Sequence, residues 1–222
     1  LRMVQTPQGF RVATLRKGFE NATGDFTDEA GLLESQGVKT AIVLGHEHGF
    51  KVTTPNDLER ARAIFTDVRS GIGVDAHQFG EQGKLMLGCL EWDGYPALAG
   101  HSDGDSVAHA VVDALLSAAG LGDIGSNFGT SRNEYAGASG ELFIAETLKL
   151  LAEAGFQPAN VAVQIVAEEP KIGPRRHELE HHLSEVVGAP VSVLATTTDG
   201  LGFLSDSRGV AAVATALVQS RS

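Results

Sequence analysis

The chain has 222 residues, a mass of 23.2 kDa, 42% hydrophobic residues and 20% charged residues. This composition provides enough apolar side chains for a sizeable core, so it excludes disordered, collagen-like and low-complexity proteins. The formal net charge of −11 lies wholly in residues 70–222, because residues 1–69 contain nine basic and nine acidic residues. Such an acidic region repels nucleic acid and anionic membranes, so we expect neither as a partner.

Three features bear on the cellular compartment. The single cysteine, Cys89, excludes an intramolecular disulfide framework and suits a reducing environment. No apolar run approaches the roughly 20 residues that span a bilayer. The first residues also lack the apolar core of a signal peptide, so we predict a cytoplasmic protein.

The first region, residues 1–69, is predicted to belong to an α/β domain. Thr54 followed by Pro55 is a typical helix start, with Thr54 as the N-cap. The predicted elements are an extended arm at 1–10, helices at about 11–22, 28–36 and 54–68, and strands at 38–44 and 50–53. Because no Gly-rich phosphate loop accompanies them, the region is typical of the tail of a larger domain.

His46 and His48 lie in the turn between these two predicted strands. Histidines at i and i+2 could bind a metal ion, but no third ligand is nearby in the sequence. We therefore favour two solvated loop histidines.

Several motifs of the first region point to a family: Gln5-Thr6-Pro7-Gln8, Thr27-Asp28-Glu29-Ala30, and Phe50-Lys51-Val52-Thr53 with Pro55 and Asp57-Leu58. Together they resemble the C-terminal third of 2-C-methyl-D-erythritol 4-phosphate cytidylyltransferases. The resemblance implies that Thr27 and Lys51 contact the substrate phosphate region. Since the family's Gly-rich half is absent from this sequence, we expect residues 1–69 to form an incomplete domain that is inactive alone.

The second region, residues 70–222, opens with a predicted strand at 71–77. Side chains alternate along a strand, so Asp75 and His77 project from the same face. A predicted hairpin or β-meander around Gly88 follows at about 84–92. The strand at 71–77 thus brings the Asp75 carboxylate and the His77 imidazole side by side. This pair suits a zinc ion but is a weak signal alone.

The predicted helix at 106–119 is mostly apolar but carries Ser106, His109 and Asp113 on one stripe. Such a stripe is unfavourable in a buried helix unless it meets polar partners or a wet cleft. A histidine satisfied by its neighbouring carboxylate is the ordinary interpretation. Together with Asp75 and His77, however, His109 completes a typical three-ligand zinc set with one open position.

The segment Leu121-Gly122-Asp123-Ile124-Gly125 ends this helix. Asp123 either forms a turn or faces the same cleft. Residues 126–138 are polar and rich in Gly, Asn and Ser, so we predict a mobile loop or lid there.

Polar groups end the last two predicted strands, at 160–167 and 191–198. Lys171 could pair with phosphate, although a solvated lysine is the usual alternative. The hydroxyls of threonines 196–198 could also hold phosphate, and Asp199 could hold a hard divalent cation. We predict the remaining helices at about 139–154, 173–187 and 206–218.

Three histidines lie on the predicted helix at 173–187, namely His177, His181 and His182. Arginines and glutamates surround them. We interpret this as a solvated face rather than a metal site.

The motifs of the second region follow one another as Asp75-x-His77, His101-Ser102-Asp103-Gly104-Asp105, His109, Asp113, Gly122-Asp123-Ile124-Gly125, Pro170-Lys171, and Ala195-Thr196-Thr197-Thr198 with Leu201-Gly202-Phe203. In this order and spacing, they resemble 2-C-methyl-D-erythritol 2,4-cyclodiphosphate synthases over about residues 70–220. The resemblance implies an α+β (or α/β) fold, a two-layer domain in which helices cover one face of a mixed sheet. A partial α/β nucleotidyltransferase tail, 1–69, would precede this domain at 70–222.

The resemblance also implies a reaction of non-mevalonate isoprenoid precursor biosynthesis. In 4-diphosphocytidyl-2-C-methyl-D-erythritol 2-phosphate, the 2-phosphate attacks the β-phosphorus, CMP leaves and the cyclic diphosphate forms. Zn²⁺ acts as Lewis acid and template, while Mg²⁺ or Mn²⁺ bridges the α- and β-phosphates. The family is homotrimeric, with metal ligands from one chain and much of the nucleotide pocket from the next.

The resemblance assigns the individual roles as well. It implies zinc ligation by Asp75, His77 and His109, and ligation of the second cation by Asp199. The resemblance implies that the catalytic residues His101, Ser102 and Thr197 contact the phosphates of the substrate. The implied substrate-binding residues are Asp113, Asp123 and Gly125 for the erythritol side, and Ala167, Pro170, Lys171, Ala195, Thr196 and Phe203 for the cytidine diphosphate side.

Three positions depart from the family pattern. Asp199 stands where the family usually has glutamate, so the second cation would sit differently. The stretch Asn127-Phe128-Gly129-Thr130 replaces a common Phe-Pro-Asp pattern and lacks its carboxylate. The stretch 204–209 differs from the common Thr-Gly-Arg-x-Glu-Gly, which bears on ligand binding along the trimer axis.

Two other functions stay open at this point. The same three ligands would serve a hydrolytic zinc phosphoesterase, in which water attacks instead of the 2-phosphate. A non-catalytic trimeric scaffold or regulatory module is the third hypothesis.

Overall fold

The computed structural model describes residues 8–80, 83–100, 102–129, 137–202 and 208–221. The chain divides into two compact units, Leu1–Phe65 and Thr66–Ser222. Within the described residues, every helix is too short or too polar to cross a bilayer.

The regular structure of the first unit consists of helices. Leu32 and Leu33 are buried, and Leu33 packs against Gly18 on the preceding helix. The helices predicted at 11–22 and 28–36 are confirmed, and the third ends earlier than predicted. Their bounds are α1, Val12–Glu20; α2, Glu29–Ser35; and α3, Pro55–Phe65.

Side chains cap two of these helices as their residue types favour. Asp28 accepts the N–H of Gly31 at 2.7 Å at the start of α2. At the start of α3, the Thr54 hydroxyl oxygen accepts the N–H of Asp57 at 3.2 Å, and the Asp57 carboxylate accepts the N–H of Thr54 at 2.9 Å. The two residues therefore cap α3 reciprocally.

The two strands predicted in the first unit, 38–44 and 50–53, are wrong. Both segments are irregular, and Ile42, Val43 and Leu44 are exposed. Their apolar and β-branched residues favour a strand, but a strand needs a neighbour to pair with. No such neighbour is present among the described residues of this unit.

The second unit is built on a mixed four-stranded sheet. Its order is β1-β6-β4-β5, with β4 and β5 parallel and the other pairs antiparallel. A separate hairpin, β2-β3, confirms the turn predicted around Gly88. The strands are β1, Val68–Gln78; β2, Leu85–Leu87; β3, Leu90–Trp92; β4, Phe156–Val166; β5, Val191–Thr196; and β6, Gly209–Ser220.

Helices cover one face of this sheet, which confirms the two-layer α+β architecture. The central helix, α4, packs on β1 and β6, while α6 packs on α4 and α7 on β5. A short 3-10 turn at Gly173–Arg175 precedes α7. The bounds are α4, Ser106–Ala119; α5, Ile124–Phe128; α6, Gly140–Glu153; and α7, Arg176–Val187. Helix α5 occupies the start of the predicted lid at 126–138, of which 130–136 lies outside the described residues.

Two glycines let α4 approach β1 very closely. A Cβ on Gly71 would collide with the Ala114 carbonyl oxygen, and one on Gly73 with the Ala110 carbonyl oxygen. The helix backbone therefore lies directly on the strand backbone. Any larger residue at these two positions would push the layers apart.

The helix predicted at 206–218 is wrong, because residues 209–220 form β6 between β1 and β4. Its alanine-rich sequence favours a helix by intrinsic propensity. Burial instead follows a period of two, in which Val210, Ala212, Ala214, Ala216 and Val218 all face the helical layer. The small side chains of this strand make room for α4, so tertiary packing overrides the local preference.

Candidate metal centre and adjoining loops

Two elements of the second unit bring three metal-ligating side chains together. Asp75 and His77 follow Gly73 at two-residue intervals, so they share the face of β1 that lies against α4. His109 lies in the second turn of α4. The close helix–strand approach therefore places all three side chains at one point.

The geometry of this triad, Asp75, His77 and His109, suits a single metal ion. One Asp75 oxygen, Oδ2, lies 3.0 Å from His77 Nε2 and 3.2 Å from His109 Nδ1. The three ligand atoms all lie within 4.8 Å of one another. Ligands about 2.0 Å from a tetrahedral zinc ion are separated by roughly 3.3 Å, so the two measured distances agree with that shape.

Two neighbouring groups orient the imidazoles. The Ala99 carbonyl oxygen lies 2.8 Å from His77 Nδ1, and a carbonyl can only accept, so Nδ1 carries a proton and Nε2 is the nitrogen left to contact Asp75 or a metal ion. The Ser102 hydroxyl lies 3.1 Å from His109 Nε2, on the side of the ring away from Asp75. The nitrogens that face Asp75, His77 Nε2 and His109 Nδ1, are therefore the two that a metal ion would take up.

The electrostatics keep Asp75 ionised. Burial disfavours its charge, but hydrogen bonds from His109 and His77 outweigh burial and lower the pKa of Asp75 to about 2. Donation of this hydrogen bond to Asp75 raises the pKa of His77, against the opposing effect of burial. His109 is nearly buried, whereas the side chains of His77 and Asp75 are 22% and 25% exposed. The triad is thus accessible from one side, where a further ligand could approach.

Asp105 holds the segment that leads from Ser102 to His109. Its carboxylate is fully buried and accepts four backbone N–H groups, which belong to Gly88, Cys89, Val107 and Ala108 at 2.6–3.1 Å. Burial raises the pKa of Asp105, while these hydrogen bonds act in the opposite direction. The residue therefore ties the hairpin turn to the start of α4. In the sequence, Asp105 stands out only as part of the motif 101–105, and its contact with the hairpin was missed.

Asp103 makes a similar connection to the next helix. Its carboxylate accepts the N–H of Gly140 at 2.8 Å and that of Asp105 at 3.1 Å. The start of α6 is thereby fixed beside the start of α4.

Asp113 and Asp123 lie at the junction of α4 and α5. Asp113 accepts the N–H of Ile124 at 2.7 Å, and burial raises its pKa. Asp123 caps α5, because it accepts the N–H of Ser126 at 2.7 Å, and Gly125 lies inside this short helix. Asp123 is therefore a helix cap, and it lies near Asp113, whose pKa its charge also raises.

Most residues predicted for the cytidine diphosphate side lie where β4 and β5 end. These parallel strands pair Ile165 with Ala195 and Val166 with Thr196, so the loops that follow them are neighbours. In the first loop, which contains Ala167 and Pro170, Lys171 Nζ donates to the Glu168 carbonyl at 2.7 Å. In the second, the Thr197 hydroxyl donates to the Asp199 carboxylate at 3.0 Å.

The triad and these two loops lie at the same end of the sheet but on different strands. Residue pairing aligns His77 with Val210 and Val166 with Ala211, which fixes this common end. Strand β6 separates β1 from β4, however, and neighbouring strands are about 4.8 Å apart. Within one chain, the two groups are therefore displaced sideways along the sheet edge.

Other residues singled out from the sequence are placed as follows. Thr27 and Lys51 lie in separate exposed loops of the first unit. His101 and Phe203 lie outside the described residues. Among the described residues, Asp75, His77 and His109 are the one group of three His, Cys, Asp or Glu side chains that could hold a metal ion.

The remaining histidines support the solvated interpretation in most cases. The first unit's His46 and His48 contact each other edge to face, and both are exposed. On α7, His177 and His181 are exposed and face Glu180 and Glu185. His182 differs, because its Nε2 is buried and has no hydrogen-bond partner among the described atoms.

Two family models match the chain. The YgbB family model matches residues 68–219. The model for 2-C-methyl-D-erythritol 4-phosphate cytidylyltransferase matches residues 1–67.

Individual proteins give the same picture. A protein named bifunctional enzyme IspD/IspF from Clavibacter michiganensis is 50% identical over 226 residues, which cover 97% of this chain and 55% of that protein. The chain thus spans little more than half the length of this relative. A 2-C-methyl-D-erythritol 2,4-cyclodiphosphate synthase from Acidothermus cellulolyticus is 54% identical over 150 residues, which cover 68% of this chain and 93% of the relative.

A solved structure extends the likeness to three dimensions. It is a 2C-methyl-D-erythritol-2,4-cyclodiphosphate synthase in its CDP-bound form, with a TM-score of 0.62 and 33% identity. The match covers 68% of this chain and 99% of that chain. Because the family model spans most of the sequence and the Acidothermus relative is matched over nearly its whole length, the chain belongs to the YgbB family.

Proposed function

We propose that residues 70–222 convert 4-diphosphocytidyl-2-C-methyl-D-erythritol 2-phosphate into 2-C-methyl-D-erythritol 2,4-cyclodiphosphate with release of CMP. The observation that carries this proposal is the convergence of Asp75, His77 and His109 on one partly open point. The 54% identity to a named synthase supports the substrate assignment. Residues 1–69 form a separate, partial transferase segment in this proposal.

The donor set of the triad fits Zn²⁺. One carboxylate and two neutral imidazoles are a common catalytic zinc set, and the Ala99 carbonyl fixes His77 in the tautomer that such a set requires. Zn²⁺ held there would supply a Lewis acid for the substrate's phosphate groups. The three side chains hold and orient this ion, and their partly buried position limits the access of water.

The rest of the proposed mechanism concerns positioning. An oxygen of the 2-phosphate attacks the β-phosphorus, the bond from that phosphorus to the α-phosphate oxygen breaks, and CMP leaves. His101, Ser102 and Thr197 contact the phosphates. Asp113 and Asp123 hold the erythritol hydroxyls. Fixed placement of the reacting groups supplies much of the rate in such phosphoryl transfers.

The two loops after β4 and β5 form the cytidine diphosphate side of the proposed site. Lys171 offers a positive charge beside the threonine hydroxyls, which suits a diphosphate. Asp199 would hold Mg²⁺ or Mn²⁺ at the α- and β-phosphates. The remaining contacts to the nucleotide would come from Ala167, Pro170, Ala195, Thr196 and Phe203.

We further propose a homotrimer with active sites shared between subunits. The sheet face opposite α4 exposes large apolar side chains, which a neighbouring chain would cover. The sideways displacement of the triad from the two loops also favours a site built from two copies. The exposed apolar residues of this face are Val68, Ile72, Val74, Leu194 and Leu217.

The activity is tested by following the cytidylyl substrate with the full chain, zinc and magnesium. We expect one CMP for each cyclic diphosphate, seen by phosphorus NMR, and one zinc per chain by metal analysis. A linear monophosphate product would favour the hydrolytic alternative. Failure to bind CDP with both metals would favour the non-catalytic one.

The shared site has its own test. His77→Ala and Lys171→Ala should each be inactive alone, because each lacks a different half of the site. Mixed after dissociation and reassembly, they should recover part of the activity, since some sites then combine two intact halves. No recovery from assembled mixtures would argue against sharing.

Thr27 and Lys51 mark the partial transferase segment in this proposal. Transferase activity would belong to a protein of the length of the bifunctional relatives, and we assign none to this chain. A cytoplasmic location stays a prediction.

A further inference from the structure

We propose that Glu168 is a positioning residue that locks the loop after β4 to the loop after β5. Its side chain thereby sets the spacing between the two halves of the cytidine diphosphate pocket. This inference rests on the function proposed above, in which both loops contact the nucleotide.

The contacts of Glu168 cross from one loop to the other. Its Oε1 atom accepts the backbone N–H of Thr198 at 3.0 Å and the Thr198 hydroxyl at 3.0 Å. The two residues are separated by 30 positions in the sequence. Hydrogen bonds to an ionised carboxylate are about twice as strong as neutral ones, so this pair forms a firm connection.

The connection continues the sheet beyond its last regular pair. The N–H of Ala167 donates to the Thr196 carbonyl at 3.0 Å, and the Glu168 side chain then binds Thr198, two residues beyond the end of β5. The loops are thus joined by a backbone bond and by a side-chain clamp. The clamp therefore holds the segment that contains Thr197 and Asp199 against the first loop.

Glu168 also fixes the lysine of the first loop. The backbone carbonyl oxygen of Glu168 accepts a hydrogen bond from Lys171 Nζ at 2.7 Å. The next residue, Glu169, lies 3.8 Å from the same Nζ and accepts the Tyr95 hydroxyl at 3.0 Å. The first loop is therefore held on two sides, by Thr198 and by Tyr95.

The role is positioning rather than catalysis, because the oxygen that would face the second loop is already engaged by Thr198. A loop pair that is ordered before binding avoids the entropy cost of ordering it on the ligand. Loss of the clamp should therefore weaken nucleotide binding, while the bond-breaking step itself changes little.

The test compares Glu168→Ala with Glu168→Gln in the full chain, with zinc and magnesium present. The amide oxygen of glutamine can accept the same two hydrogen bonds, so it should restore the clamp. We expect Glu168→Ala to weaken CDP binding about tenfold by calorimetry and Glu168→Gln to stay within about twofold of the wild type. Glu153→Ala, an exposed glutamate on α6, is the matched control and should bind CDP as the wild type does.

Steady-state kinetics separate positioning from general support of the fold. Glu168→Ala should raise KM for the cytidylyl substrate about tenfold, with kcat within about threefold of the wild type. If Glu168→Ala fails to fold, Thr198→Val carries the same test, because it removes the hydroxyl and keeps the N–H; about threefold weaker CDP binding is expected.

Two results would overturn the proposal, and they differ. If Glu168→Ala lowers the melting temperature but leaves CDP affinity and KM unchanged, Glu168 supports stability alone. If the wild type itself binds no CDP with both metals, the proposed function fails first, and the positioning role fails with it.

Discussion

Both compact units contain segments whose residues favour β-strands, but among the described residues such segments pair into a sheet only in the second unit. In residues 66–222, each long strand meets a neighbour, and β6 lies between two of them. In residues 8–65, Ile42, Val43 and Leu44 favour a strand just as strongly, yet they are exposed and unpaired among the described residues. Strand preference is therefore expressed only where a partner strand supplies cross-strand contacts.

The two units also differ in how an aspartate caps a helix. Asp28 accepts one backbone N–H at the start of α2, close to the surface. Asp105 accepts four in the interior, from two different elements. One aspartate serves its own helix, while the other connects the helix to the rest of the unit.

The largest effect on stability is expected for Asp105→Ala. Four buried N–H groups would lose their acceptor, so the free energy of unfolding of the second unit should fall by about 3–5 kcal/mol. Urea unfolding followed by the fluorescence of Trp92, the single tryptophan, measures it. Asp93→Ala, at an exposed neighbour of that tryptophan, should change stability by less than about 0.5 kcal/mol. A loss below about 1 kcal/mol for Asp105→Ala would show that this buried cap contributes no more than a surface cap such as Asp28.

His77→Ala should abolish the response of the second unit to zinc. Zinc at about one hundred times its dissociation constant stabilises the wild type by about 2.7 kcal/mol, because it binds the folded state alone. We expect thermal unfolding of His77→Ala to be the same with zinc and with a chelator. His177→Ala, at a fully solvated histidine on α7, should keep the whole zinc response. An equal response in both variants would place the metal elsewhere.

Gly73→Ala tests whether the close contact between α4 and β1 determines the geometry of the triad. The added Cβ would collide with the backbone of α4, so we expect a loss of about 2 kcal/mol and weaker zinc binding together. The measurements are urea unfolding and zinc titration with a competing chelator. Gly173→Ala, whose Cβ would meet open space, should leave both unchanged. Destabilisation with unaltered zinc affinity would show that the triad tolerates movement of the helix.

Asp28→Ala should have the smallest effect. Loss of a single exposed cap costs about 1 kcal/mol, so the amides of α2 should exchange with solvent about fivefold faster. Hydrogen exchange read by mass spectrometry resolves this segment, and Asp25→Ala provides the control. Wild-type protection of α2 in Asp28→Ala would show that packing of Leu32 and Leu33, rather than the cap, holds this helix.

The sequence predicted the triad because its spacing is local in each element. Asp75 and His77 share a face through the period of a strand, and His109 stands out as a polar residue on an apolar helix. No local pattern in the sequence predicted that α4 packs against β1. Gly71 and Gly73 make that meeting possible, and their role is visible only once α4 lies on β1.

The errors have one physical origin. The alanines of residues 206–218 predict a helix, and the valines, isoleucine and leucine of residues 38–44 predict a strand. In both cases the neighbours decide: two flanking strands impose β6, and the described part of the first unit offers no strand to 38–44. Glu168 was missed for a related reason, since its partner Thr198 is distant in the sequence.

The bare contact between α4 and β1 has a consequence for how this protein can change over time. Since main chain lies against main chain there, a Cβ at either glycine would meet the α4 backbone rather than a side chain that can repack. We therefore expect Gly71 and Gly73 to tolerate substitution less than the leucines and valines that fill the interior behind α4.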